Sequence, residues 1–147
     1  MSTVFTKIIE GQIPGRFLWQ DDVVVAFLTH APISPGHALI VPRTPFVQYV
    51  DAPDYVLAHL SRVTKAIGRA QLSVWPAPRA AVLVAGFEVP HLHIHVLPAW
   101  DESHLTFANA RTDVRPEDLD AAAEQVRSAL HAQGHGDRVP TSVGALD

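Results

Sequence analysis

Three histidines at every second position are the feature that most constrains the structure and function this chain can have. They lie in the stretch HLHIHVLP, residues 91–98. Because successive side chains of a β-strand point to opposite faces, His91, His93 and His95 share one face and the apolar residues between them share the other. Three imidazoles with a purely structural role would need three separate hydrogen-bond partners. The pattern therefore predicts a strand with one packed face and one face that binds or reacts.

Composition narrows the class of protein. A chain of 147 residues, 48% hydrophobic and 18% charged, is typical of one domain with a sizeable core. Its lack of cysteine excludes disulfides, a thiolate nucleophile and cysteine-based zinc sites. The formal charge of −4 argues against binding to a nucleic-acid backbone. With no apolar run of about 18 residues and no signal-peptide pattern, we expect a cytoplasmic protein without a membrane or nucleic-acid partner.

The spacing of apolar residues and of glycine and proline predicts an α+β fold. A short helix is expected from a cap at Ser2 or Thr3 to Ile9, a long helix after Asp54, and a third helix from Pro116. Strands are expected at residues 16–19, 23–28, 37–41, 80–85 and 91–98, the fourth of them buried. We therefore expect one domain over residues 1–133 with a mainly antiparallel five-stranded sheet, followed by a flexible tail over residues 134–147.

Two chemistries suit three imidazoles on one strand face. Two of them could bind a metal together with a carboxylate from Glu88 or Asp101, although same-face neighbours are about 6.8 Å apart along a strand, which strains a three-histidine site. Alternatively, one histidine could attack phosphorus while the others stabilise the charge on the phosphate oxygens. His93 is the best placed nucleophile in that case, because it has a histidine on either side.

Four blocks of sequence carry a family resemblance. They are GFEVPHLHIHVLP at residues 86–98, SPGHALIVP at 34–42, DDVVVAFL at 21–28 and FTKIIEGQIP at 5–14. Together they resemble the histidine triad (HIT) family of nucleotide hydrolases and transferases, in order and in approximate spacing. The likeness extends over about residues 4–100.

This resemblance implies a HIT-like fold, a homodimer and a purine nucleotide substrate, with no metal or other cofactor. It implies hydrolysis at the α-phosphorus of a conjugate such as an adenosine phosphoramidate, through a covalent nucleotidyl-histidine on His93. His95 would contact the phosphate oxygens and the leaving group, and His91 would orient the nucleophile. His37, after Gly36, matches the additional histidine near the triad.

The substrate-binding residues include matches and departures. Trp19 and Phe27 would form a wall of the purine pocket. Thr29 occupies a position where the family often has a ribose-binding Asp or Asn, and Glu88 one where a Ser or Thr often touches the phosphate or leaving group. Thr3 and Thr6 stand where many bacterial members carry zinc-binding cysteines, so no structural zinc is expected. The alternatives are a dinucleoside polyphosphate hydrolase, or a purine-nucleotide-binding or sensing protein with weak catalysis.

Overall fold

The computed structural model describes residues 2–147, and this part of the chain contains three α-helices and five strands. The elements are α1 (Val4–Ile9), β1 (Phe17–Gln20), β2 (Val24–Leu28), β3 (Ala38–Pro42), α2 (Asp54–Val74), β4 (Arg79–Leu83), β5 (Ile94–Ala99) and α3 (Pro116–Ala132). The strands form one sheet in the order β1-β2-β3-β5-β4, and every neighbouring pair is antiparallel. The predicted α+β fold with a five-stranded antiparallel sheet is confirmed.

One face of the sheet packs against α2 and α3, and we name it the helix face. The apolar stripe of α2 includes Leu60 and Ile67, and that of α3 includes Val126 and Leu130, all of them buried. These side chains pack against every second residue of the strands, such as Ile40. Period-2 alternation in the strands and helical periodicity in α2 and α3 together build this part of the core.

The opposite face carries the histidines and is covered by α1, and we name it the histidine face. It holds a smaller apolar cluster of Phe5, Phe17, Val25, Phe27, Leu39 and Val41. Helix α1 begins at a capping box, in which the Thr3 side chain accepts from the backbone of Thr6 and the Thr6 side chain accepts from the backbone of Thr3. A six-residue helix is marginal alone, so this cap and the buried Phe5 ring fix α1 on the sheet.

Two strand predictions need correction. The apolar run 80–85 was expected as a buried strand, but β4 is the edge of the sheet, and its residues are exposed or half-buried, with Val82 51% exposed. The histidine strand was expected from residue 91, but β5 begins at Ile94, and His91 and His93 lie in the segment directly before it. The predicted alternation still holds, because Leu92 and Val96 pack into the helix face.

The segment after α3, predicted as a flexible tail, returns to the sheet. Val139 is buried in the core, the backbone N–H of Phe17 donates to Val143 at 2.8 Å, and Arg127 donates to the carbonyl of Pro140 at 2.8 Å. The flexibility of residues 134–147 stays a prediction about motion, and these contacts favour an ordered segment.

Candidate active site

The triad residues lie together where β5 meets β3. His95 pairs with Leu39 across the two strands, so both side chains belong to the histidine face. The His93 and His95 rings are 4.8 Å apart between centroids. His91 and His93 are buried, and His95 is partly exposed. The structure thus brings the three imidazoles to one side of the sheet.

His37 joins the triad from the start of β3. Gly36 precedes it with φ of +80°, and a Cβ at this position would collide with the Trp75 ring, so the turn requires glycine. The backbone N–H of Ile33 donates to His37 Nδ1 at 3.0 Å, which leaves the proton of a neutral His37 on Nε2. That Nε2–H donates to His95 Nδ1 at 2.9 Å. A neutral His95 therefore carries its proton on Nε2.

The same reasoning assigns the protons of the other two histidines. A carbonyl oxygen can only accept, so His91 Nε2–H donates to the Pro42 carbonyl at 2.7 Å. The carbonyl of His91 in turn accepts from His93 Nδ1–H at 2.7 Å. A neutral His93 therefore has a lone pair on Nε2. Within residues 2–147, the structure gives this Nε2 atom no protein hydrogen-bond partner.

All four histidines have a lowered pKa, chiefly because burial disfavours the imidazolium form. Burial lowers the pKa of His37 to about 4. Burial, with the nearby His37 and His93, lowers the pKa of His95 to about 3. At neutral pH the cluster is uncharged, and His93 keeps the free lone pair that a nucleophile needs.

Three contacts around the histidines were missed by the sequence reasoning. The Phe5 ring packs edge-on against His93, with centroids 4.7 Å apart. The Phe107 ring, in the loop after β5, lies 4.7 Å from the His95 ring. The Thr3 hydroxyl donates to His91 Nδ1 at 2.7 Å. The helix cap, predicted at Ser2 or Thr3, lies at Thr3. Nothing in the sequence indicates its hydrogen bond to His91.

The predicted substrate-binding residues are spread over the site and beyond it. Phe27 lies on the histidine face, 5.7 Å from Phe5 between ring centroids. Thr29 follows β2, and its backbone N–H donates to the carbonyl of His37. Glu88 is exposed in the loop before the histidines.

Trp19 does not reach the histidines. A bulge in β1 between Phe17 and Trp19 shifts the register, and Trp19 pairs with Ala26 on the helix face. Its indole donates to Asp21 at 2.8 Å and packs against His135. The predicted contact with a purine does not fit this position, because the sheet separates Trp19 from the triad.

The donor set offers little to a metal ion. His91 uses both ring nitrogens and His93 uses Nδ1 in hydrogen bonds with the protein. The hydroxyls of Thr3 and Thr6 are not ligands that zinc prefers. Across residues 2–147, no group of three or more His, Asp or Glu side chains is placed to hold a metal. The zinc site of cysteine-bearing relatives therefore does not fit these residues.

Within residues 2–147, no helix is long and apolar enough to cross a bilayer.

Comparisons with known proteins agree with this geometry. A family model, the HIT domain, matches residues 10–102. The chain is 31% identical over 135 residues to the adenosine 5'-monophosphoramidase of Schizosaccharomyces pombe, covering 88% of this chain and 99% of that protein. It is 30% identical over 138 residues to an uncharacterised HIT-like protein of Mycobacterium tuberculosis, covering 90% and 96%.

The fold also matches solved structures. A Zn-bound histidine triad family protein from Mycobacterium smegmatis superposes with a TM-score of 0.78 at 27% identity, covering 92% of this chain and 98% of that one. The matched family model spans the histidine segment, His37 and β1 to β5. The chain belongs to the HIT family.

Proposed function

We propose that this protein is a nucleotide hydrolase that cleaves purine nucleotide conjugates of the adenosine phosphoramidate type at the α-phosphorus. The observation that carries the proposal is the free Nε2 lone pair of His93, fixed by the Nδ1 hydrogen bond to the carbonyl of His91. The relative from Schizosaccharomyces pombe, named an adenosine 5'-monophosphoramidase, supports this substrate class.

The reaction takes two displacements at phosphorus. In the first, His93 Nε2 attacks, the N–P bond to His93 forms, the bond to the leaving nitrogen breaks, and the amine departs with a proton from solvent. In the second, water attacks phosphorus, a P–O bond forms, the P–N bond to His93 breaks, and the water gives up a proton to solvent. The nucleoside monophosphate departs and the lone pair of His93 Nε2 is restored. His95 Nε2–H donates to a phosphate oxygen and stabilises the charge that develops there. His37 holds His95 in the tautomer that this role requires.

The loop after β5 favours a leaving group without negative charge. Phe107 contacts His95, so this loop borders the site. Residues 99–110 include Asp101 and Glu102 but no Lys or Arg. A nucleotide leaving group would bring several negative charges towards a loop whose charged residues are carboxylates, and like charges repel. An amine would not, so phosphoramidates are preferred over dinucleoside polyphosphates.

Thr29 and Phe27 are assigned to the nucleoside. The Thr29 hydroxyl accepts from the N–H of Ala31, which leaves its own proton free to donate to a ribose hydroxyl. Phe27 supports the Phe5 ring that lies against His93, and so shapes the apolar side of the pocket. Glu88 is exposed, and we assign it a position at the edge of the site, away from the phosphate.

The decisive experiment replaces the nucleophile. We expect His93→Gln to lower kcat for an adenosine phosphoramidate by at least about 1,000-fold, because the amide of Gln has no basic nitrogen lone pair with which to attack phosphorus. His131→Gln, which alters an exposed histidine in α3, is the matched control and should keep wild-type turnover. Mass spectrometry of the wild-type enzyme quenched during turnover should find a nucleoside monophosphate on His93.

Two results would overturn the proposal. Turnover by His93→Gln at the wild-type rate would remove His93 as nucleophile. Tight binding of AMP without turnover of any phosphoramidate or dinucleoside polyphosphate would identify a nucleotide-binding or sensing protein instead.

We also propose that the protein forms a homodimer through β4. Apart from Arg79, this edge strand is apolar, and Val82 in its middle is 51% exposed. An open apolar edge promotes pairing with another strand, and a second copy would bury it as the sequence pattern predicts. Sedimentation should therefore find twice the chain mass. Val82→Asp should shift the protein towards monomer, and a wild-type monomer at micromolar concentration would contradict the proposal.

A further inference from the structure

We propose that Thr3, the N-cap residue of α1, is a positioning residue that holds the nucleophile His93 in its reactive tautomer through His91. This inference rests on the proposed function, because it concerns the same histidine. It adds a role for a helix cap that lies 88 residues before His91 in the chain.

The Thr3 hydroxyl performs two tasks at once. Its oxygen accepts from the backbone N–H of Thr6 at 3.2 Å and caps α1. Its proton goes to His91 Nδ1 at 2.7 Å. Both groups are buried, with Thr3 7% and His91 0% exposed, so water does not readily replace either partner. A hydroxyl can accept and donate together, which a carboxylate cap cannot do.

The hydrogen bonds run in one direction from α1 to the reactive atom. Thr3 donates to His91 Nδ1, which keeps the His91 proton on Nε2, and that proton goes to the carbonyl of Pro42. The imidazole of His91 is thereby fixed at both nitrogens. The peptide carbonyl of the same residue accepts from His93 Nδ1 at 2.7 Å and leaves His93 Nε2 without a proton.

Loss of the Thr3 hydroxyl would release this arrangement. A buried His91 Nδ1 without a donor is costly, so the His91 ring would turn or change its tautomer. A turn of the ring would displace the peptide group of the same residue, whose carbonyl fixes His93, and the tautomer with the proton on His93 Nε2 would become populated. That tautomer has no lone pair at the attacking atom.

Helix α1 makes a second contact with the same histidines. The Phe5 ring packs edge-on against His91 at 5.7 Å and His93 at 4.7 Å between centroids. The cap at Thr3 therefore determines the position of α1 and, with it, the apolar surface against which the His93 ring rests. Thr6, by contrast, takes part in the capping box, and none of its hydrogen bonds reaches a histidine.

Three variants separate positioning from simple capping. Thr3→Val removes the hydroxyl at nearly constant shape, Thr3→Ser retains it, and Thr6→Val weakens the capping box while leaving the Thr3 hydroxyl in place. We expect Thr3→Val to lower kcat by about tenfold with KM within about twofold of wild type, as for one lost buried hydrogen bond. Thr3→Ser should restore kcat. Thr6→Val should lower the Tm but keep wild-type kcat.

The tautomers themselves provide a readout that does not depend on turnover. Two-bond ¹H–¹⁵N spectra of the histidines should show His91 protonated on Nε2 and His93 protonated on Nδ1 in the wild type, Thr3→Ser and Thr6→Val. In Thr3→Val, the signals of both histidines should shift towards mixed tautomers. If Thr3→Val keeps wild-type tautomers and kcat, Thr3 is only a helix cap and the inference is wrong. If the wild type hydrolyses no nucleotide, the proposed function fails, and the spectra still decide whether Thr3 fixes His91 and His93.

Discussion

The helix face and the histidine face belong to the same sheet, and both are largely buried, but different interactions hold them together. On the helix face, α2 and α3 cover the sheet with apolar side chains such as Leu60 and Val126. On the histidine face, a short capped helix and a chain of hydrogen bonds through His91 and His93 surround a smaller apolar cluster. The helix face contributes the larger share of the apolar packing. On the histidine face, hydrogen bonds determine which ring nitrogens carry protons.

The two faces should therefore respond to different perturbations. Packing loss acts on stability at every pH, since apolar contacts do not titrate. The stability contributed by buried neutral histidines depends on pH. As the pH falls, these histidines bind protons in the unfolded chain before they do so in the native protein. Mutations on each face, and a change of pH, test whether the two faces differ in this way.

The largest effect on stability is expected from a cavity in the helix face. Leu60 is fully buried between α2 and the sheet. Leu60→Ala should lower the free energy of unfolding by about 2 to 5 kcal/mol, from lost burial and the cavity that remains. Urea unfolding at pH 7.5 measures it, and KM of the folded variant should stay near the wild-type value. A change in kcat larger than about threefold without loss of stability would show that the faces are not independent.

The same division explains what could be predicted from the sequence. The helix face follows from repeating patterns, namely every second strand residue and every third or fourth helix residue, so α2, α3 and the sheet were predicted. The three histidines were also found, because residue type and spacing reveal them.

Other features depend on contacts that no local pattern contains. The resemblance assigned Trp19 to a purine pocket, but a bulge in β1 turns its side chain to the helix face. The apolar β4 was predicted as buried because its pattern does not tell an edge strand from a central one. The hydrogen bond from Thr3 to His91 joins residues far apart in the chain, and only the fold brings them together.

A smaller effect is expected when the pH is lowered. Burial lowers the pKa of His37 to about 4, against 6.5 for an ordinary histidine. Between these two values the unfolded chain binds a proton at this residue and the native protein does not, so stability falls as the pH falls. From pH 7.5 to pH 5, His37 alone should cost about 2 kcal/mol of unfolding free energy. His91, His93 and His95 have lowered pKa values as well, and they add to the loss in the same direction.

His37→Asn isolates this contribution. The Asn side chain places an oxygen where His37 Nδ1 accepts from Ile33, so the turn keeps its hydrogen bond while the titrating group is removed. Urea unfolding at pH 7.5 and pH 5 should show a loss for His37→Asn that is smaller than the wild-type loss by about 2 kcal/mol. Leu60→Ala should instead keep the full pH dependence. Its free energy of unfolding should be lower than that of the wild type by the same amount at pH 7.5 and at pH 5. Equal pH dependence in the wild type and His37→Asn would mean that His37 titrates normally, and the neutral hydrogen-bonded pair with His95 would then be the wrong description of the histidine face.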